Sequence, residues 1–332
     1  MKKKILFMLS AALLFGACQN KDLSKDSNPL LQTWDTPFGT PPFEKIKVTD
    51  YLPAFTAAMQ EHNDEIEKII KNKEKASFEN TIAAFDYSGE LLAQVAGVFY
   101  NMTAANTNED IQKLEEKIGP MMAKHKDEIT MNAKLFEKVK SVWDNKEKEN
   151  LNQEQKMLLE KTYKKFVRSG ALLNKDQQEE LKKVNGELTK LESKFGSNQL
   201  KETKAYTLVI DKEEDLKGLP QWLIDQAAST AKDKKQEGKW IFTLDNPSVF
   251  PFLQYAENRD LREKIFNARV NRCNNGGQTD NKEVIKQIVN LRATKAELLG
   301  YKTYADYVLE ERMNKTPKEV YNLLEELLKY SV

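Results

Sequence analysis

The sequence predicts an all-α protein that carries one small antiparallel β-ribbon. Apolar residues recur at spacings of three and four through most of the 332 residues, as expected for helices that each bury one face. Only 13 Gly and 10 Pro interrupt these patterns. Two segments differ, at 205–210 and 239–244, because β-branched and aromatic residues cluster there. We expect these segments to pair as a ribbon around a helix at 220–235.

The predicted helices follow one another with short connections. The first spans Thr49 to Lys71 with Pro53 in its first turn, and Asn80 is expected to cap the second. A long helix from Lys175 to about Leu200 has apolar residues spaced for a coiled-coil-like contact. Other helices are predicted at 108–131, 135–143, 153–168 and from 248 onward. We find no long repeat and no low-complexity linker after residue 27, so residues 28–332 are predicted to form one helical unit.

The composition is that of a folded protein with balanced charge. Charged residues make up 31% and aromatic residues 9% of the chain. The 52 Lys and Arg residues against 51 Asp and Glu residues give a net charge of +1. A nucleic-acid partner would require a concentrated basic surface, so none is expected.

The first 27 residues are typical of a bacterial lipoprotein leader. Three lysines precede an apolar run from Ile5 to Phe15, and the small pair Gly16-Ala17 precedes Cys18. The run is about half the ~20 residues that a stable membrane-spanning helix needs. We therefore expect 1–17 to be a signal peptide, Cys18 to be lipid-modified and 18–27 to be a polar tether. This would anchor the protein to a membrane of the cell envelope; secretion with a free Cys18 is the alternative.

Several short motifs, and their order along the chain, resemble those of a known protein family. They include Ser77-Phe78-Glu79-Asn80-Thr81-Ile82, the segment Arg168-Ser169-Gly170-Ala171, residues 245–269 and residues 291–301. In this order the chain resembles the N-terminal half of the thimet oligopeptidase-like zinc peptidases. Oligopeptidase A and the bacterial peptidyl-dipeptidases belong to that family, and the peptidyl-dipeptidase branch fits best.

The resemblance implies a mainly helical fold and a zinc-dependent peptidase acting on short peptides. It gives no catalytic or metal-binding residue in this chain, because the family's His-Glu-x-x-His motif is absent from the sequence. We therefore expect no metal bound by this chain alone and no peptidase activity without a second half. Helix 317–332 ends without a stop signal and has an apolar face, which favours a partial chain. The alternative is a complete, membrane-tethered, non-catalytic helical protein that binds peptides or a protein partner.

Two histidines and three tyrosines leave alternatives open. His62 and His125 each begin an H-x-D-E-I pattern, which fits either ordinary core histidines or a carboxylate–histidine metal site between helices; we favour core histidines. Tyr301, Tyr304 and Tyr307 fit either packing or the lining of a peptide channel. Cys273 has no neighbouring histidine in the sequence, so we expect it to be unreactive.

Overall fold

A computed structural model describes residues 27–331 and confirms the all-α prediction. The predicted signal peptide, Cys18 and all but the last residue of the tether lie outside the described residues. The helices are α1 (Val48–Lys71), α2 (Ala84–Asp86), α3 (Glu90–Ala105), α4 (Glu109–Thr130), α5 (Ala133–Asp144), α6 (Gln153–Arg168), α7 (Lys175–Ala205), α8 (Gln221–Asp233), α9 (Asn246–Tyr255), α10 (Arg259–Val270), α11 (Lys282–Leu298), α12 (Tyr304–Leu309) and α13 (Pro317–Ser331).

The predicted ribbon is present and shorter than expected. Strand β1 (Leu208–Ile210) pairs antiparallel with β2 (Trp240–Phe242), and Val209 lies opposite Ile241. Helix α7 continues to Ala205, so it takes up the first residue assigned to the ribbon. Helix α8 connects the strands, as the sequence indicates.

The second predicted helix is divided in the structure. A π-helical turn (Phe78–Ala83) leads into the short α2, and α3 begins only at Glu90. The break lies at Gly89, whose φ of 79° is a left-handed conformation that side chains disfavour. The backbone N–H of Gly89 donates to Glu65 Oε2 at 2.8 Å, so a contact from α1 fixes this corner.

Three large clusters of buried side chains form the core. One joins α1, the π-helical turn, α5 and α6 around Phe166; another joins α1, α3 and α4 around Phe55 and Phe99. The third lies beneath the ribbon, where Phe242 and Phe252 pack with ring centroids 4.6 Å apart. Phe55, Phe99, Phe166, Phe242 and Phe252 are all fully buried.

The long helix α7 organises the middle of the protein. Asn174 caps it, since its side chain accepts from Gln177 N while the Gln177 side chain accepts from Asn174 N. Helix α7 packs against both α4 and α11. Its Val184 and Leu188 contact Val284 and Ile288 of α11 in a small apolar seam. Beside this seam, polar residues of α4, α7 and α11 share an interior cavity.

Within the described part of the chain, every helix is too short or too polar to cross a bilayer.

Candidate functional site

A polar cavity lies where α4, α7 and α11 meet α12 and the end of α6. It encloses about 190 Å³. We call it the Lys295 cavity. It is lined by Ala123, Lys126, Asp127, Arg168, Ser169, Leu181, Asn185, Leu188, Thr189, Glu192, Lys295, Tyr304 and Tyr307. Most of these side chains are polar or charged, which is unusual for a space between packed helices.

Arg168 forms the wall of the Lys295 cavity nearest α12. Its guanidinium donates to Glu310, to the hydroxyl of Tyr301 and to the carbonyl oxygen of Tyr307. It also lies 4.3 Å from the centre of the Tyr307 ring, within the range of a cation–π contact. The side chain is only 14% exposed, so these partners replace water around its charge. Arg168 therefore fixes α12 to the end of α6.

Lys295, Asn185 and Asp127 form a chain of polar contacts inside the cavity. Lys295 Nζ donates to Asn185 Oδ1 at 2.7 Å. The Asn185 amide nitrogen donates to both oxygens of Asp127 at 3.0 Å. Asn185 therefore stands between the ammonium group and the buried carboxylate. Among the described residues no direct ion pair joins Lys295 to Asp127, so the ammonium rests on a neutral amide oxygen.

The pKa values of this chain reflect burial in a charged environment. Burial lowers the pKa of Lys295, and repulsion from Lys126 lowers it further. Burial also raises the pKa of Asp127, against the opposing effects of the Asn185 hydrogen bond and of Lys295. Both shifts show that charge is costly here. An additional negative group near Lys295 would lower the cost of the Lys295 charge.

The structure brings together residues that the sequence analysis treated separately. The Arg168-Ser169-Gly170-Ala171 motif lies beside Tyr301, Tyr304 and Tyr307, and Tyr304 and Tyr307 line the cavity. Burial and, as a smaller effect, the hydrogen bond to Glu310 raise the pKa of Tyr301 to about 12. The tyrosines therefore both pack and line a cavity, so the two alternatives are not exclusive.

Sequence reasoning missed Lys295, Asn185 and Asp127. A weak signal existed for Asp127, which belongs to the H-x-D-E-I pattern that begins at His125 on α4. Asp127 is 6% exposed. Lys295 gave no such signal, since lysines on the surface of a helix are common.

The two histidines contact each other rather than lying in separate parts of the core. His125 Nε2 and His62 Nδ1 are 3.0 Å apart, and the rings meet edge to face. Ser88 Oγ donates to Phe85 O, so it accepts from His62 Nε2 at 3.3 Å. His62 therefore carries its proton on Nε2, and His125 donates to His62 Nδ1. The pair links α1 to α4 as neutral side chains.

The carboxylates of the two H-x-D-E-I patterns point to other partners. Glu65 accepts from Gly89 N, and Glu128 lies 3.7 Å from Lys124 Nζ. Among residues 27–331, no three His, Cys, Asp or Glu side chains come together as possible ligands of one metal ion. The histidine pair thus fits the core interpretation that the sequence favoured. The zinc that the resemblance implies does not fit any group of side chains described in this chain.

Cys273 lies in the turn three residues after the end of α10 and has a left-handed backbone conformation, with φ of 57°. Glu202 of α7 holds the turn that follows, because its carboxylate accepts from Cys273 N, Asn275 Nδ2 and Thr279 Oγ1. Burial, with Glu202 beside it, raises the pKa of the Cys273 thiol to about 11. A thiol in this state is a poor nucleophile, which supports the expected unreactive role.

Comparison with known proteins shows what this helical chain is similar to. The model of peptidase family M3 matches residues 252–332. The chain is 35% identical over 301 residues to the dipeptidyl carboxypeptidase of Escherichia coli strain K12, covering 91% of this chain and 44% of that protein. It is 31% identical over 307 residues to a probable cytosolic oligopeptidase A of Arabidopsis thaliana, covering 91% and 43% respectively. It is 27% identical over 307 residues to oligopeptidase A of Escherichia coli, covering 91% and 44%.

The protein is thus mainly helical, with a small cavity lined by charged side chains and open on one side. The comparisons confirm the resemblance: residues 252–332 match the model of peptidase family M3, and about 91% of the chain is similar to a dipeptidyl carboxypeptidase and to oligopeptidase A. The chain spans less than half the length of the curated relatives it matches.

Proposed function

We propose that this chain is the non-catalytic N-terminal part of a zinc-dependent peptidase that hydrolyses short peptides and releases C-terminal dipeptides. The observation that carries this proposal is the similarity to a dipeptidyl carboxypeptidase along 91% of the chain. In this proposal the chain supplies one wall of the substrate channel. The zinc and the groups that activate water come from a second half, because the chain has only two histidines and they hydrogen-bond to each other.

The exposed face of α13 supports a missing partner surface. Thr316 and Glu319 form reciprocal capping hydrogen bonds, which stabilise the first turn of this helix. Its apolar residues are nevertheless about half exposed, at 50% for Leu323, 52% for Leu324, 54% for Leu327 and 58% for Leu328. A stripe of leucines on one helix face is the pattern of a surface that another element covers. This favours the peptidase-half proposal over a complete peptide-binding protein.

A cleavage assay tests the proposal. We expect the purified 332-residue chain, with added zinc, to release no dipeptide from an N-blocked tripeptide over hours. The E. coli dipeptidyl carboxypeptidase, assayed in parallel, serves as the active control. If the 332-residue chain cleaves the tripeptide and a chelator abolishes that cleavage, the chain is catalytic by itself and the proposal is contradicted.

The coding DNA downstream of codon 332 provides the complementary test. A reading frame that continues into His-Glu-x-x-His, directly or after a single-base shift, would support the two-half proposal. A stop codon with no such motif downstream would instead favour a complete, membrane-tethered protein that binds peptides.

We also propose that Cys18 carries a lipid that anchors the protein in the cell envelope. The supporting observation is the order of three lysines, an apolar run, a small pair and a cysteine at the start of the sequence. Bacteria grown with labelled palmitate should label the wild-type protein and leave Cys18→Ser unlabelled. Equal labelling of the two proteins would refute lipid attachment at Cys18.

A further inference from the structure

The Lys295 cavity holds more positive charge than its own carboxylates neutralise directly. Lys126 of α4, Arg168 of α6 and Lys295 of α11 line it. Arg168 is paired with Glu310. The Lys295 ammonium is bonded to an amide oxygen, and Asp127 takes its side-chain hydrogen bonds from Asn185. Within residues 27–331, neither Lys126 nor Lys295 forms an ion pair with a carboxylate.

A second observation comes from Arg292, one turn before Lys295 on α11. Its guanidinium donates to Glu192, which lines the cavity, at 2.8 Å. It lies 5.2 Å from the centre of the Tyr304 ring, which also lines the cavity. Its Nε is buried and has no hydrogen-bond partner in the structure. Arg292 therefore adds positive charge beside the wall of the cavity that carries Glu192 and Tyr304.

The size and lining of the cavity restrict the ligand. A volume of about 190 Å³ corresponds to roughly six water molecules in the liquid. That space admits one end of a small molecule and excludes a folded chain. Ammonium and guanidinium groups favour a carboxylate, and the rings of Tyr304 and Tyr307 offer flat apolar surface beside it.

We infer that the Lys295 cavity is a binding subsite for the C-terminal carboxylate of a short peptide. Lys295 supplies the main charge, Lys126 adds to the positive field at the opening, and the two tyrosines contact the last residue of the peptide. This inference rests on the proposed function, in which the chain forms one wall of a peptide channel. It identifies which residues of that wall recognise the C-terminal end of the substrate.

Calorimetric titration of the full 332-residue chain at low ionic strength tests the subsite. The probes are N-acetyl-Ala-Ala and the same dipeptide with a C-terminal amide. We expect the free acid to bind at least about ten-fold more tightly, since a charge-assisted hydrogen bond contributes that much. Lys295→Met keeps the length of the side chain and removes its charge. It should weaken binding of the acid by about ten-fold or more and leave the amide unchanged.

Lys286→Met is the matched control. Lys286 also lies on α11, but nine residues earlier, which places it on the opposite side of the helix. It pairs with Glu283 at the surface, so its loss should not change binding of the acid. Thermal melts of the two variants show whether Lys295→Met is folded, and the comparison of acid with amide on the wild-type chain needs no variant.

Equal binding of acid and amide would overturn the subsite. So would an unchanged affinity in a folded Lys295→Met protein. If inorganic phosphate binds at Lys295 while the acid and amide do not differ, the cavity is a site for a free anion and the peptide assignment is wrong. None of these outcomes involves cleavage, so the subsite can fail while the downstream His-Glu-x-x-His motif still supports the proposed function.

Discussion

Gly218→Ala should destabilise the protein by about 2 to 5 kcal/mol, from a strained backbone and a direct clash together. Gly218 has a φ of 86°, a conformation that costs other residues about 1–2 kcal/mol. An added Cβ would lie 2.4 Å from the carbonyl oxygen of Tyr255 and 3.1 Å from Glu257 N. Both are backbone atoms. They cannot turn away as a flexible side chain would, so the loop and the end of α9 must separate.

The structure around Gly218 makes this separation costly. Glu257 N donates to the carbonyl oxygen of the adjacent Lys217 at 2.9 Å, which fixes the loop to the end of α9. Leu219, Phe252 and Ala256 lie in the buried cluster beneath the ribbon. A shift of the loop would therefore also open this cluster.

Gly238→Ala is the control for backbone strain alone. Gly238 has nearly the same φ, 82°, but no atom lies within 4 Å of the position of an added Cβ. We expect it to cost only about 1–2 kcal/mol. Urea denaturation of the two variants measures the difference, which is the contribution of the clash. Equal losses of unfolding free energy in the two variants would contradict the close approach of Gly218 to Tyr255 and Glu257.

The free energy of unfolding should fall as the pH is lowered from 6.5 towards 4, because the His62–His125 pair is held neutral. Burial, the neighbouring His125 and the Lys165 ammonium lower the pKa of His62 from 6.5 to about 4. Burial lowers the pKa of His125 as well, against the opposing attraction of Glu128. In this range the unfolded chain binds more protons than the folded chain, so stability is present above pH 6.5 and is lost as the pH falls.

The geometry explains why protonation is unfavourable. A proton on His62 Nδ1 would replace the lone pair that accepts from His125, so the bond between α1 and α4 would be lost. We expect the pair to account for a loss of about 1–2 kcal/mol, after allowing for the partial exposure of His62. Asp127 acts in the opposite sense, since a raised carboxyl pKa gives a relative gain in stability as the pH falls.

A double variant isolates the histidines from this background. His62→Gln with His125→Gln retains groups that can hydrogen-bond and removes both titrations. Its unfolding free energy should depend less on pH between 6.5 and 4 than that of the wild-type protein, and the difference is the contribution of the pair. An identical pH dependence in the two proteins, or an NMR titration of His62 near 6.5, would contradict the proposed neutral pair.

Local pattern was sufficient for most of the fold. The three- and four-residue spacing placed α4, α5 and α6 to within about two residues at each end, since each helix buries a continuous apolar face. The pattern failed at Gly89 because the apolar seam continues from Phe85 to Leu92 across the break. The contact from Glu65 that stabilises the corner comes from another helix. No pattern within the segment itself could indicate it.

The residues of the candidate site likewise fall into two groups: some were recognisable in the sequence and others were not. Arg168 and the tyrosines 301, 304 and 307 drew attention as motifs, but their convergence depends on the packing of α6 against α12. Asp127, Asn185 and Lys295 are separated by 58 and 110 residues along the chain. Each is unremarkable within its own helix, and the polar chain that they form exists only in the folded protein.

Patterns within short segments were enough to predict the all-α class, the ribbon and the family resemblance, and the sequence also shows that the His-Glu-x-x-His motif is absent. The folded structure was needed to show that the two histidines hydrogen-bond to each other and that a charged cavity lies beside α7. Both features are contacts between separate helices. The histidine contact depends on how α1 packs against α4, and the cavity depends on how α4, α7 and α11 pack together; both are properties of the whole core.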